Sequence, residues 1–317
     1  MGLTLIKSGI LTTFQDLGRS GFRRFGINPG GAMDRTAARL VNILLGNDET
    51  EAVLEMHFPA PVFRFETDAV FALGGADFAA RLNEKDIENW RPFVARKGDT
   101  LSFPERRLGA RLYLAVRGGF ETEKWFDSAS ANLKAGIGKA LSKDDEIRFK
   151  IQESKIEDHK NNYRISSSLL PRYSRFPTVR VTPGAEFGFL SSAGAEIFLK
   201  NSFTISPQSD RMGFRLQGKP VHLSEKIELV SSATSFGTIQ LLPDGQLVIL
   251  MADHQTTGGY PRLAHVAEID LPLVAQLSAN DKIYFQMISP AEAEDLIFER
   301  EKDFNFLKCA VKLSAKA

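Results

Sequence analysis

Apolar and polar residues alternate in short runs along most of this chain, and glycine or proline stops each run. Val62, Phe63 and Phe65 lead into Val70-Phe71-Ala72-Leu73, and the run from Arg111 to Val116 ends in Gly118-Gly119. Period-two patterning bounded by turn formers predicts short strands of an antiparallel barrel or sandwich. One device recurs at Asp99–Phe103 (DTLSF), Asp145–Phe149 (DEIRF) and Asp281–Phe285 (DKIYF). In each, an aspartate serves a polar turn and two apolar residues spaced by two face one side of the strand that follows. Three such entries point to β modules and away from βαβ units.

Helices are few. Asp34 is placed to cap a helix over Arg35–Leu45, whose Ala37, Ala38, Leu40, Val41, Leu44 and Leu45 form an apolar stripe ended by Gly46. Asp270 is placed to cap a shorter one through Leu277. Ser289-Pro290-Ala291-Glu292 reads as a capping box opening a helix to about Arg300. The stretch Lys150–Arg164 (KIQESKIEDHKNNYR) is charged and stripeless, and serines and prolines follow it. It reads as a connector between domains at 1–160 and 178–317, with a linker at 161–177 and a C-terminal helix in the second domain. The predicted class is mainly β.

Composition narrows the function. With 317 residues, 43% of them hydrophobic, the chain is long enough for two ordinary cores. Forty basic residues stand against 39 acidic ones, so no global field favours nucleic acid or an anionic membrane. The single cysteine, Cys309, allows no internal disulfide and no cysteine metal cluster. The N-terminus lacks a signal-peptide pattern and no run of 18 apolar residues occurs, so a cytoplasmic location is expected. The five histidines form no metal-binding pair, no metal site is expected, and no G-x-S-x-G elbow is present.

The densest polar segment is Ala252–Pro261 (ADHQTTGGYP), directly after the apolar run Leu247–Met251. Asp253, Gln255, Thr256 and Thr257 supply an anion, an amide and two hydroxyls, and Gly258-Gly259 permits close backbone approach. Such a loop can orient a small amide and donate N–H groups to a developing oxyanion. It is equally readable as a hairpin turn with its residues in ordinary turn roles. A second cluster, Gln15–Arg19 and Asn28–Asp34, runs glycines into a helix start that can bind an anion. It has neither Walker nor Rossmann spacing, and Asp34 reads better as a cap than as a catalyst. Arg211 and Arg215 flank a third site; either can fork onto a carboxylate, although pairing of Arg211 with Asp210 is the quieter reading.

Taken together these segments resemble one family. They are Thr12–Arg19 (TTFQDLGR), Gly30–Asp34 (GGAMD), Leu54-Glu55, Asp210–Leu216 (DRMGFRL), Gly237–Gln240 (GTIQ), Pro243–Gly245 (PDG) and Asp253–Pro261. In order and spacing, from about residue 4 to 293, they are similar to the allophanate hydrolase subunit 2 family, also called carboxyltransferase subdomains A and B. The resemblance implies two cyclophilin-like β-barrel domains with few short helices. It further implies a hydrolase subunit that opens the 5-oxoproline lactam to glutamate. ATP would be bound by the complex, and the partners would be a KipI-like protein and a LamB/YcsF-type subunit. Two other members of the family set alternatives: a biotin-dependent carboxyltransferase component acting on urea or a similar amide, its biotin on a separate carrier, and a KipA-like regulator that binds a kinase inhibitor.

On this resemblance Asp253, Gln255, Thr256, Thr257 and Tyr260 line the site with Asp34, while Arg19, Gln240, Arg211, Gly258 and Gly259 hold the substrate. Relatives usually carry Gly-Ser-Arg-Ser-Thr after the first-domain Arg-Gly-Gly. Here Phe126–Ala131 (FDSASA) stands instead, without the arginine, and then the reduced Ala135–Gly138 (AGIG). His254 stands where relatives often have another basic or polar residue.

Overall fold

The recurrent aspartate device folds the same way each time in the computed structural model, which describes residues 2–150, 163–225 and 227–314. Asp99 accepts the backbone N–H of Arg96 at 2.8 Å, Asp145 that of Ser142 at 2.8 Å, and Asp281 that of Ser278 at 2.9 Å. Each turn carries one positive-φ residue just before the aspartate: Gly98, Asp144 and Asn280. A carboxylate that closes a turn onto a backbone donor three residues earlier launches the strand in a fixed phase. Leu101, Phe103, Ile147, Phe149, Ile283 and Phe285 are accordingly all buried.

The chain divides into two units. The first comprises Met1–Arg19, Gly30–Pro171 and Glu301–Ala317, and the second Ser20–Pro29 and Arg172–Arg300. These bounds differ from a simple split near residue 170. Phe304 of the C-terminal helix is 1% exposed in the first unit's core, and Ile165 and Tyr163 pack there too. Most of the charged connector lies outside the described residues.

In the first unit a six-stranded sheet runs in the order Glu146–Arg148, Gly2–Lys7, Val62–Phe65, Thr100–Ser102, Arg81–Leu82, Lys85–Asp86. A five-stranded antiparallel sheet runs Thr12–Gln15, Val53–His57, Leu108–Val116, Ala69–Asp77, Pro92–Ala95. Its central strands read as unbroken apolar runs because both faces are covered. Phe71, Leu73, Leu112 and Leu114 join one core, while Val70, Ala72, Tyr113 and Ala115 meet helix α1 (Arg35–Leu44) in another. Helix α1 starts as expected, with Asp34 accepting the Ala37 N–H at 2.8 Å, and stops at Gly46 with φ of 72°.

The second unit contains a closed seven-stranded barrel, in the order Thr178–Pro183, Arg262–Val266, Thr238–Leu241, Leu247–Leu250, Gly213–Gln217, Phe203–Ile205, Lys282–Met287. Closure removes the unpaired edges of an open sheet. Phe198 and Phe285 stack inside it with ring centres 4.8 Å apart. The family resemblance implies a barrel in both halves. It closes here, and the strands of the first unit form the two sheets just described.

Helix α2 (Ser192–Lys200) escapes the pattern reading because it buries only Gly194 and Phe198. Helix α3 spans Leu271–Ala275, but the Asp270 side chain does not cap it. Its carboxylate instead grips Arg180 through Nε at 2.9 Å and Nη2 at 2.5 Å, a charged pairing stronger than a cap. Helix α4 opens with the expected reciprocal Ser289–Glu292 box and continues past Arg300 to Ser314. Tertiary contacts extend it: Arg39 forks onto Glu301 at 2.7 and 2.6 Å and lies over the Phe304 ring. Among the described residues no helix is long and apolar enough to cross a membrane.

Candidate active site

The loop after Leu247–Leu250 is fastened at its root. Arg211 takes Asp253 twice: its carbonyl accepts the Asp253 N–H at 2.8 Å, and its guanidinium forks onto the carboxylate at 2.8 and 3.2 Å. The side chains are 13% and 8% exposed, so this is a largely dry ion pair. Asp210 accepts the N–H groups of Met212 and Gly213 and so shapes the turn. Asp253, 42 residues away in sequence, takes the Arg211 fork.

Beyond the root, Thr257-Gly258 pairs antiparallel with Ser232-Ala233. Thr234 is the hub of this small ribbon. Its N–H donates to the Thr256 carbonyl at 3.1 Å and its hydroxyl to the Gln255 carbonyl at 2.7 Å. Arg23, in the segment that belongs to this unit, donates to the Thr234 carbonyl and, at 3.5 Å, to that of Thr256. His254 is 1% exposed and its Nδ1 meets the Gln255 carbonyl at 2.5 Å. An N–H there as donor makes His254 a support of the loop.

Gln240 is fully buried beneath the ribbon, with its amide 3.4 Å from Gln255 Nε2 and 3.5 Å from the Tyr260 carbonyl. A side chain at Gly258 would come within 2.7 Å of Gln240 Nε2. The Gln240 amide would have to shift to admit one. Thr257 and Gly259 are exposed, Tyr260 is 45% exposed, and Gln255 and Thr256 are half-buried. The loop therefore presents hydroxyls and an aromatic ring to solvent from a base locked by Asp253, His254 and Gln240. The sequence does not single out Thr234 and Arg23; each meets the loop from at least 20 residues away, and no local pattern marks them.

Arg19 and Asp34 belong to the first unit. Asp34 is fully buried as the α1 cap, and its N–H donates to Tyr113 Oη, which in turn donates to Glu55 at 2.7 Å. Glu55 also accepts the Met33 N–H. With the N–H groups of Met33, Asp34 and Ala37 taken by protein oxygens, these amides are not offered to an anion. Burial and the Glu55 charge hold the Tyr113 hydroxyl far above the usual phenol range, so it stays a neutral donor.

Arg19 is 2% exposed and donates to the Ser130 carbonyl. Asp16 gathers the same segment, accepting from Ser128 Oγ at 2.6 Å, Ser130 Oγ at 2.5 Å, the Ala129 N–H at 2.6 Å and the Gly18 N–H at 2.8 Å. The two serines of Phe126–Ala131 are thus structural, and the residue between them is alanine.

Among the described residues no group of three or more histidine, cysteine, aspartate or glutamate side chains is arranged to hold a metal ion.

The chain matches the family described as carboxyltransferase domain, subdomain A and B, over residues 25–287. It is similar to the C-type subunit of 5-oxoprolinase from Escherichia coli, at 38% identity over 296 residues, covering 92% of this chain and 93% of that one. The same 5-oxoprolinase component from Haemophilus influenzae is 35% identical over 288 residues, 90% of each chain. Among solved structures, the urea amidolyase of K. lactis superposes with a TM-score of 0.89 at 27% identity, over 96% of this chain but 20% of that one.

Proposed function

The chain belongs to the carboxyltransferase subdomain A and B family, and we propose that it is the C-type subunit of an ATP-dependent 5-oxoprolinase, opening the lactam to glutamate. The observation that carries this reading is the end-to-end match to two subunits of that name, about nine-tenths of each chain in both directions. The urea enzyme matches as well in fold, yet this chain spans only a fifth of it.

In this reading a KipI-like protein and a LamB/YcsF-type subunit complete the enzyme. ATP is bound by the complex in this reading, and the Met33, Asp34 and Ala37 amides at the α1 N-terminus donate to Glu55, Tyr113 and Asp34. Lactam hydrolysis needs the amide oxygen activated and a charge stabilised as the ring opens. The exposed hydroxyl of Thr257, the half-buried Thr256 and the Tyr260 ring are the groups this chain brings to such a substrate. Asp253 and Arg211 spend their charges on each other and fix the loop's position. The test is reconstitution of the chain with both partners, followed by glutamate release from 5-oxoproline with and without ATP. ATP-dependent release supports the reading, and its absence removes it.

A second reading, a carboxyltransferase component acting on urea or a similar amide, draws on the superposition with the K. lactis urea enzyme. It requires a separate biotin carrier. Turnover of carboxybiotin with urea, and none with 5-oxoproline, would favour it.

A further inference from the structure

Beside the loop lies a chain of polar groups that the reading above does not use. Ser235 follows the hub residue Thr234 and is half-buried. Its Oγ sits 3.0 Å from Thr238 Oγ1, which also accepts the Ser235 N–H at 3.0 Å. Thr238 is fully buried and its Oγ1 lies 3.2 Å from Nδ1 of His265. Thr238 and His265 are cross-strand partners in the barrel wall, so the strands themselves fix their separation.

One hydrogen arrangement runs the chain from serine to histidine. Thr238 Oγ1 accepts from Ser235 and gives its one proton to His265 Nδ1 when that nitrogen is the unprotonated one of the neutral ring. His265 is held below the ordinary histidine range first by burial and next by the charge of Arg262, against a smaller opposing pull from Glu186. The imidazole is therefore neutral at pH 7 and open to a proton.

We propose that Ser235, Thr238 and His265 form a hydroxyl–imidazole proton relay that makes Ser235 Oγ a nucleophile toward the carbonyl of a small amide. In the step, the Ser235 proton passes to Thr238 Oγ1 as the Thr238 proton passes to His265 Nδ1. The Ser235 oxygen forms a bond to the carbonyl carbon, and the carbonyl π pair moves onto its oxygen. Collapse breaks the C–N bond, and the nitrogen takes back the proton through Thr238. Water then releases the acyl group by the same route. The proposal deepens the amide-opening reading and rests on it for its substrate class, but the nucleophile can be tested without that substrate.

Diisopropyl fluorophosphate reports serine nucleophilicity directly: Ser235 Oγ bonds phosphorus, fluoride leaves, and the proton goes to His265. Mass spectrometry of the digested full chain should find the adduct on the peptide carrying Ser235. Labelling should rise with pH through a value below about 6.5, the ordinary histidine value. It should slow at least about tenfold in His265→Gln and Thr238→Val, in the range one proton-transfer group contributes, and persist in Thr238→Ser. Circular dichroism identifies any variant that does not fold, and His265→Gln and Thr238→Ser each keep a polar group in place. No adduct at Ser235 in the wild-type chain, or equal rates in the folded variants, overturns the relay. Labelling that behaves as stated while the reconstituted complex ignores 5-oxoproline would remove the oxoprolinase reading alone.

Discussion

Replacing Arg211 by methionine removes one half of the ion pair at the root of the candidate loop while keeping most of the side chain's apolar length. Asp253 would be left 8% exposed with no guanidinium on either oxygen, where now it has contacts at 2.8 and 3.2 Å. Stranding a buried charge in this way costs about 3–5 kcal/mol, against near neutrality when both partners become apolar. The residual exposure of both side chains puts Arg211→Met near the lower end. Urea denaturation of the purified chain measures it as a fall in midpoint at unchanged slope. Adding Asp253→Leu should return the midpoint to within about 1 kcal/mol of the parent protein, because no uncompensated charge remains. If Arg211→Met alone stays within about 1 kcal/mol, the pair behaves as a surface contact and the reasoning about a locked root is wrong. A double variant no better than the single one would refute it from the other side.

Two further outcomes follow from the geometry. Tyr113→Phe removes the acceptor of the Asp34 N–H and one of the two donors to Glu55 Oε2, and should cost about 1–3 kcal/mol by the same denaturation measurement; a change near zero would mean that water substitutes. The Glu186 carboxyl is held below its ordinary range chiefly by hydrogen bonds from the Arg262 side chain. A depressed folded value means that its contribution is complete above the unfolded value of about 4.3 and is lost as pH falls through the folded one. Glu186→Gln should therefore flatten the pH dependence of the denaturation midpoint below about pH 5, and an unchanged slope there would contradict the pairing.

Much of the fold is legible because its causes are local. The three aspartate turns, the Asp34 cap and the Ser289–Glu292 box each bond within three residues, so the pattern and the contact are the same fact. What escapes a sequence reading depends on distance in sequence. Asp270 looks like a cap until Arg180, 90 residues away, takes its carboxylate. Helix α4 looks finished near Arg300, yet Phe304 and Glu301 find Arg39 in α1. The candidate loop is visible as a polar cluster, but its internal division of labour is not. Asp253 is committed to Arg211, His254 and Gln240 are buried beneath the ribbon, and Thr257 and Tyr260 face outward. The serines at 128 and 130 look in sequence like part of a departure from the family pattern; in the fold they bind Asp16, more than 110 residues upstream.

Amide chemistry on the outward face of the 253–261 loop is the central claim. The most direct measurement is the rate of ATP-dependent glutamate formation by the reconstituted complex carrying Thr256→Val with Thr257→Val, checked by size exclusion for intact assembly. Loss of hydroxyls that stabilise a developing oxyanion should lower the rate by about a hundredfold or more. A complex that assembles and turns over within about twofold of the parent, a difference worth well under 1 kcal/mol of barrier, would contradict the claim.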